Sequence, residues 1–295
     1  MTQHFTLRLA QSRMLAPSVR HLAFARTDGQ PFAFTPGQFL QIHFAYADGK
    51  PTKRSYSVAT VAARHAAAVD LIEIAVSYVP GGAASALFTH LEDGGTVEAS
   101  GPYGRFVLGE QDANRRYVLI ATGTGITPYR AMLPQLAAQM RARAVEAVLL
   151  YGARSESELL YGAEFEAFAA AHASFRFVPC FSRGARAQPR AHDRLGYVQT
   201  VLPELTPDPG RRHRLLVRQP EHGRSVFRGA EAGGSADPAH PPREIRLLAL
   251  SACARRLHVC GAATNRVHAG IGAPPPRIRK NVPPSTYEIV QFGKA

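Results

Sequence analysis

Hydrophobic and polar positions alternate in short bursts through the first hundred residues. Phe5-Thr6-Leu7-Arg8-Leu9 alternates strictly, and Val19-Arg20-His21-Leu22-Ala23-Phe24 does so in part. A period of two places one set of side chains on one face of a strand. Leu71-Ile72-Glu73-Ile74-Ala75-Val76 is rich in β-branched residues, and Thr96-Val97-Glu98-Ala99-Ser100 is one more strand pattern. Turn residues punctuate these runs: Asp28-Gly29-Gln30-Pro31, Pro36-Gly37, Asp48-Gly49-Lys50 and Gly101-Pro102-Tyr103-Gly104. About six short strands joined by such turns predict a small antiparallel β-barrel over residues 1–112.

From Tyr117 the period changes. Tyr117-Val118-Leu119-Ile120-Ala121, Val145 to Tyr151 and Phe175 to Cys180 are continuous apolar runs of the kind a parallel sheet buries on both faces. Between them, the spacing predicts helices over about 129–142 and 157–171. Pro128 suits a first helical turn, and Pro134 is expected to distort the first helix. Strand, glycine-rich turn and helix, repeated, predict an α/β doubly wound domain over 113–210 that takes its ligand at the carboxyl ends of the strands.

Composition changes the picture only at the end of the chain. The net charge is +13, yet residues 211–295 carry 15 Lys and Arg against 5 Asp and Glu, while the preceding residues carry 20 against 17. Nine of the 22 prolines also follow residue 210. This stretch reads as an aberrant basic tail, expected to be poorly ordered for want of a packable pattern. Its charge lacks aromatic interleaving, so a nucleic-acid partner is not expected. Three cysteines do not make a disulfide framework, and Cys253, His258 and Cys260 lack zinc-site spacing, so no metal is expected. No signal peptide or membrane-length apolar run is seen, which makes a membrane partner unexpected and the cytoplasm the default.

Three stretches carry candidate chemistry. Lys53-Arg54-Ser55-Tyr56-Ser57-Val58 offers a forked cation that suits a phosphate, a ring that can cover a flat heterocycle, and hydroxyls. Pro80-Gly81-Gly82-Ala83-Ala84-Ser85 precedes a helical spacing, and a helix start suits an anion. Thr122-Gly123-Thr124-Gly125-Ile126-Thr127-Pro128 lets a pyrophosphate approach the backbone, without matching the full G-x-G-x-x-G fingerprint. Arg154 and Arg183, the latter after Ser182, fall at strand ends where a ribose 2′-phosphate can be held. Each stretch also has a plain reading: a surface strand, a loop capped by Ser85, and solvated arginines.

In this order the motifs resemble one family, the ferredoxin/flavodoxin–NADP(H) reductase superfamily in its bacterial form, over roughly residues 5–205. The resemblance implies FAD and NADP(H) as cofactors. It implies that Arg54 holds the FAD pyrophosphate, that Tyr56 packs beside the flavin with Ser55 in the same strand, and that Ser57 bonds near flavin N5. Tyr56 and Ser57 would then be the residues at the chemistry. Gly82, Ala83, Ala84 and Ser85 would cradle the pyrophosphate. Gly123, Thr124, Gly125, Thr127 and Pro128 would line the NADP(H) cleft, with Arg154, Ser182 and Arg183 on the 2′-phosphate. The implied partner is a ferredoxin or flavodoxin electron carrier, served by a monomer. An NAD(P)H:flavin reductase or the reductase component of an oxygenase is the alternative reading.

The end of the chain departs from that family. After Gly196-Tyr197-Val198 the family continues with a strand, a Cys-Gly-Asn-Pro segment, a helix and a short carboxyl-terminal segment, none of which is written here. One DNA permitted for residues 211–228, moved by one base, encodes A-D-I-V-Y-W-C-G-N-P-N-M-V-E-A-F-F. We therefore read a frameshift near Pro209-Gly210, with the last strand and helix missing from the frame as written and reductase activity weakened or lost.

Overall fold

The computed structural model describes residues 3–62, 68–109, 114–205, 213–218 and 287–291. Its amino-terminal domain is built from β1 (Gln3–Ala16), β2 (Val19–Arg26), β3 (Phe32–Ala33), β4 (Phe39–Ala45), β5 (Pro51–Ser57), β6 (Ala68–Val69), β7 (Leu71–Ser77) and β8 (Thr96–Tyr103). Six of these form an antiparallel sheet in the order β5-β4-β8-β1-β2-β7, and β3 pairs with β6. Just past β5, the Ala59 N–H donates to Glu73 O on β7 at 2.7 Å, so the sheet curls back towards its own far edge. The alternation explains the interior: Leu7, Leu9, Leu22, Phe24, Leu40, Ile42, Ile72 and Ile74 are all buried. Each such side chain contributes about 1.5–3 kcal/mol. β1 is far longer than its alternating core. Register shifts between Leu9 and Gln11 and between Met14 and Ala16 absorb the breaks in its pattern.

Helix α1 (Ala83–His90) packs against this domain through Phe88. Its last carbonyls would be orphaned. Arg20 donates to Phe88 O at 2.6 Å and Leu91 O at 3.2 Å, and the Tyr78 hydroxyl to Phe88 O at 3.2 Å.

The second domain is a parallel sheet in the order β12-β11-β10-β9-β13-β14, from β9 (Arg116–Thr122), β10 (Glu146–Ala153), β11 (Phe175–Phe181), β12 (Arg194–Leu195), β13 (His213–Arg218) and β14 (Tyr287–Gln291). Tyr117, Leu119, Leu149, Tyr151 and Phe177 pack to one side of it with α2 (Thr127–Arg143) and α3 (Gly162–Ala171). Val118, Ile120, Val148, Leu150 and Val178 pack to the other with α4 (Val198–Val201). Both faces are covered, which is why these strands read as unbroken apolar runs. Ala16, Val19, Ala75, Phe106 and Leu108 of the first domain join the same core as α2. Gln135 Nε2 on α2 donates to Leu108 O at 2.9 Å, fixing the connecting segment to the helix.

Three expectations are corrected. α3 starts at Gly162, because Tyr161 adopts a left-handed backbone (φ 55°) and residues 156–158 form a 3-10 turn. α2 runs from Thr127 to Arg143 with Pro134 inside it, unbroken. The last strand is not missing: β13 pairs in parallel along β9, Leu215 opposite Val118 and Leu216 opposite Leu119. The apolar run Leu215-Leu216-Val217 gives the sequence the strand pattern for this place between β9 and β14. The remaining tail lies outside the described residues apart from β14, as do Cys253, His258 and Cys260. Among the described residues, no helix is long and apolar enough to cross a membrane, and no group of ligands fits a metal.

Candidate functional site

β5 carries the first candidate residues opposite β4, with Ile42 facing Arg54 and Leu40 facing Tyr56. The Arg54 guanidinium is held in place: Nη1 donates to the Thr52 hydroxyl at 3.0 Å and to Lys53 O at 2.8 Å, and Nη2 to the Tyr46 hydroxyl at 3.0 Å. Hydrogen bonds to Thr52 and then Arg54 lower the pKa of Tyr46. Tyr56 turns inward, 7% exposed, with its ring edge-on to Phe88 of α1 at 5.5 Å. That contact sets β5 beside α1. Ser55 and Ser57 are half-buried on the same strand.

The turn before α1 opens a cleft. Gly81 lies at φ 71°, which favours glycine, and Gly82 is the N-cap, with no side chain capping the helix. Ser85 is therefore not the cap. Its Oγ instead accepts the Val79 N–H at 2.7 Å, pinning the turn. The first-turn amides of Ala83, Ala84 and Ser85 are then the donors that a helix leaves without an internal partner. Ala83 and Ser85 border an open cleft of about 1280 Å³, whose lining includes Phe44, Tyr46, Tyr78 and Gly82. Tyr46 links the two sides, since it lines the cleft and bonds Arg54. A forked cation and an uncapped helix start are the donor set a pyrophosphate takes, so these residues fit the group.

The second candidate turn follows β9. Gly123 has φ 51°, and residues Gly123–Ile126 form a 3-10 turn that runs into α2. The Tyr151 hydroxyl donates to Gly123 O at 3.1 Å and the Thr127 hydroxyl to Thr124 O at 2.7 Å. Gly123 and Thr124 reach the surface, whereas Gly125, Thr127 and Pro128 are buried beneath and shape the turn.

At the adjoining strand ends, the backbone brings three candidates together. The Arg183 N–H donates to Arg154 O at 2.9 Å, and the Ser182 N–H to Ala153 O at 3.1 Å. The Arg154 side chain is engaged with Glu158, Nε and Nη2 each 2.6 Å from a carboxylate oxygen. That i, i+4 spacing is a sequence signal for the pair. Cys180 on β11 offers no nucleophile, because burial pushes its thiol up to about 12.

Sequence reasoning missed the residues between the domains. Arg130 on α2 donates to Ala59 O at 2.8 Å, to the Glu73 carboxylate, and through Nε to Glu164 at 2.6 Å. The Tyr161 ring lies 4.8 Å from its guanidinium, and the Tyr161 hydroxyl and His21 Nδ1 are 2.9 Å apart. The one available signal was a cation inside an apolar helix turn.

A phosphate cradle on a barrel and a glycine turn on a parallel sheet, joined through one core, define an oxidoreductase that pairs two nucleotide cofactors. An oxidoreductase FAD-binding domain model matches residues 6–108, and an oxidoreductase NAD-binding domain model matches 119–217. Ferredoxin–NADP reductase B of Sorangium cellulosum (strain So ce56) is 39% identical over 202 residues, 68% of this chain and 78% of that protein. Terephthalate 1,2-dioxygenase reductase component 1 of a Comamonas species is 30% identical over 190 residues, 64% of this chain and 53% of that protein. This chain thus spans most of the first relative and about half of the second. A solved ferredoxin NADP+ reductase from Neisseria gonorrhoeae with bound FAD and NADP superposes with a TM-score of 0.60 at 22% identity, over 81% of this chain and 94% of that one, a likeness of fold. The chain belongs to the ferredoxin-reductase family of FAD- and NAD(P)-dependent oxidoreductases.

Proposed function

We propose that this oxidoreductase passes electrons between NADPH and a ferredoxin or flavodoxin. The observation that carries the choice of NADPH is the backbone pairing of Ala153 and Arg154 with Ser182 and Arg183, which brings two arginines to adjoining strand ends. A free ribose offers no anion for two guanidiniums, whereas a 2′-phosphate does. The Sorangium relative, named as a ferredoxin–NADP reductase, supports the choice of carrier. Bound FAD supplies hydride acceptance and one-electron release; the protein supplies position and charge.

Each residue then has a task. Arg54, fixed by Thr52 and Tyr46, meets the FAD pyrophosphate together with the α1 amides at Ala83, Ala84 and Ser85. Tyr56 backs the flavin platform from the barrel interior, and Ser55 and Ser57 offer hydroxyls along it. Gly123 and Thr124 admit the dinucleotide phosphates over a turn braced by Gly125, Thr127 and Pro128. Arg154 exchanges Glu158 for the 2′-phosphate, so NADPH binding breaks an existing ion pair. Turnover is expected to be weak, because no Cys-Gly-Asn-Pro segment follows β13 in this sequence.

Purified protein supplied with FAD should be yellow and should bleach anaerobically with NADPH. A protein that stays colourless with added FAD overturns the reading. The Comamonas relative favours a second one, a reductase component of an oxygenase. Cytochrome c reduction that depends on added ferredoxin selects the first reading over this one.

A further inference from the structure

Arg130 stands in the first turn of α2, two residues past Pro128, and is 9% exposed. An arginine is seldom so buried unless paired. Its partners come from both domains. Ala59, two residues past Ser57, and Glu73 on β7 belong to the barrel. Glu164 and Tyr161, at the start of α3, belong to the α/β domain. Tyr161 is held in the left-handed region (φ 55°), a conformation a tyrosine keeps only where its surroundings require it. Its hydroxyl meets buried His21, which lies 3.8 Å from Glu73. One guanidinium therefore ties the exit of the strand carrying Arg54, Tyr56 and Ser57 to the helix that follows the Gly123–Ile126 turn.

We propose that Arg130 is a positioning residue for electron transfer: from beneath both platforms it sets the separation between the flavin surface of β5 and the dinucleotide turn of β9. The proposal rests on the two-cofactor reading above. Transfer between two bound rings is steeply sensitive to their spacing, and an error of about 1 Å costs on the order of 100-fold. A guanidinium with a fixed fork holds three acceptors in one geometry, which a flexible ammonium does not.

The test is anaerobic stopped-flow reduction of the FAD-loaded protein by NADPH, for the wild type, Arg130→Gln, Arg130→Lys and Glu164→Gln. Arg130→Gln should slow reduction roughly 30-fold or more, with Arg130→Lys and Glu164→Gln slowing it about 3- to 10-fold. Dissociation constants for FAD and NADPH should move less than about 3-fold, since neither ligand surface is altered. The long-wavelength absorbance of stacked nicotinamide and flavin should fall with the rate, and amide exchange should quicken in β7 and the first turn of α2. An unchanged rate in Arg130→Gln overturns the proposal, and so does a rate loss matched by an equal loss of FAD affinity. If Arg130→Gln fails to fold, Glu164→Gln decides, because Glu164 is 38% exposed and its amide keeps the shape; an unchanged rate there overturns the proposal. A wild type that neither takes up FAD nor responds to NADPH overturns the two-cofactor reading itself, and this proposal with it.

Discussion

Acid should weaken this protein through Glu73. The side chain sits on β7, 24% exposed, facing the His21 ring and the Arg130 guanidinium, with Tyr161 and Glu164 behind Arg130. Burial alone would raise its pKa. The His21 ring, 3.8 Å away, with the hydrogen bond and charge of Arg130, outweighs burial and brings it from 4.5 down to about 2. The folded value lies below the unfolded one. The stabilisation is therefore complete above about pH 4.5 and drains away as pH falls towards about 2. That interval corresponds to about 3 kcal/mol. The chain has no Trp, so urea unfolding is best followed by far-ultraviolet circular dichroism. In Glu73→Gln the contribution is absent at every pH, while the other carboxylates titrate as in the wild type. The stability difference between the two proteins should shrink by about 2–3 kcal/mol between about pH 6 and pH 2.5. Parallel losses in the two proteins would show that Glu73 is not held ionised by the fold.

Other consequences arise from the same structure. Gly37 lies at φ 103°, and an added Cβ would sit 1.8 Å from Phe106 O, so Gly37→Ala should cost more than about 2 kcal/mol; an unshifted melting curve would contradict this. Arg54→Ala should weaken FAD binding roughly 10- to 100-fold in equilibrium dialysis, and an unaltered dissociation constant would remove Arg54 from the site. Joint replacement of Arg154 and Arg183 by Ala should raise the KM for NADPH about 10-fold or more and leave NADH unaffected. Equal losses for both coenzymes would place the arginines elsewhere in the binding. DNA sequencing across codons 205–230 should find Cys-Gly-Asn-Pro in a neighbouring frame; its absence from all frames would dismiss the frameshift.

The strands of both domains were legible because burial writes itself as periodicity. Leu7 and Leu9 on one face, or Val118 to Ala121 buried on both, leave little choice of element. The phosphate turns were legible because only glycine serves where Gly81 and Gly123 take positive φ. What escaped was non-local. Nothing near Tyr161 in the chain announces a left-handed tyrosine, and the partner of its hydroxyl, His21, is one hundred and forty residues away. Arg130 reads as one more helix arginine until Ala59 and Glu73 are brought to it by the folding of a different domain. Ser85 looked like a cap, and geometry gave that place to Gly82 because the hydroxyl was already engaged with Val79. β13 was misjudged because its strand-forming content was weighed with the tail around it.

That last case separates fold from chemistry. In the frame as written, Leu215-Leu216-Val217 lies along β9; in the shifted frame, Ile-Val-Tyr-Trp would occupy nearly the same place. A place in a parallel sheet asks only for a short apolar run with free backbone donors and acceptors, so it accepts either. The NAD-binding domain match reaches residue 217, just short of the end of β13 at Arg218. Cofactor chemistry is less tolerant, because it needs particular side chains at particular strand ends. Both proposed cradles lie before residue 210: Arg54 and the α1 amides in one, the Gly123 turn with Arg154, Ser182 and Arg183 in the other. So does the Arg130 tie that sets them against each other. No Cys-Gly-Asn-Pro segment follows β13 in this sequence. If that segment serves the nicotinamide end, as the family resemblance implies, FAD binding should stand while turnover is slowed, and cofactor retention and catalysis should come apart in this chain.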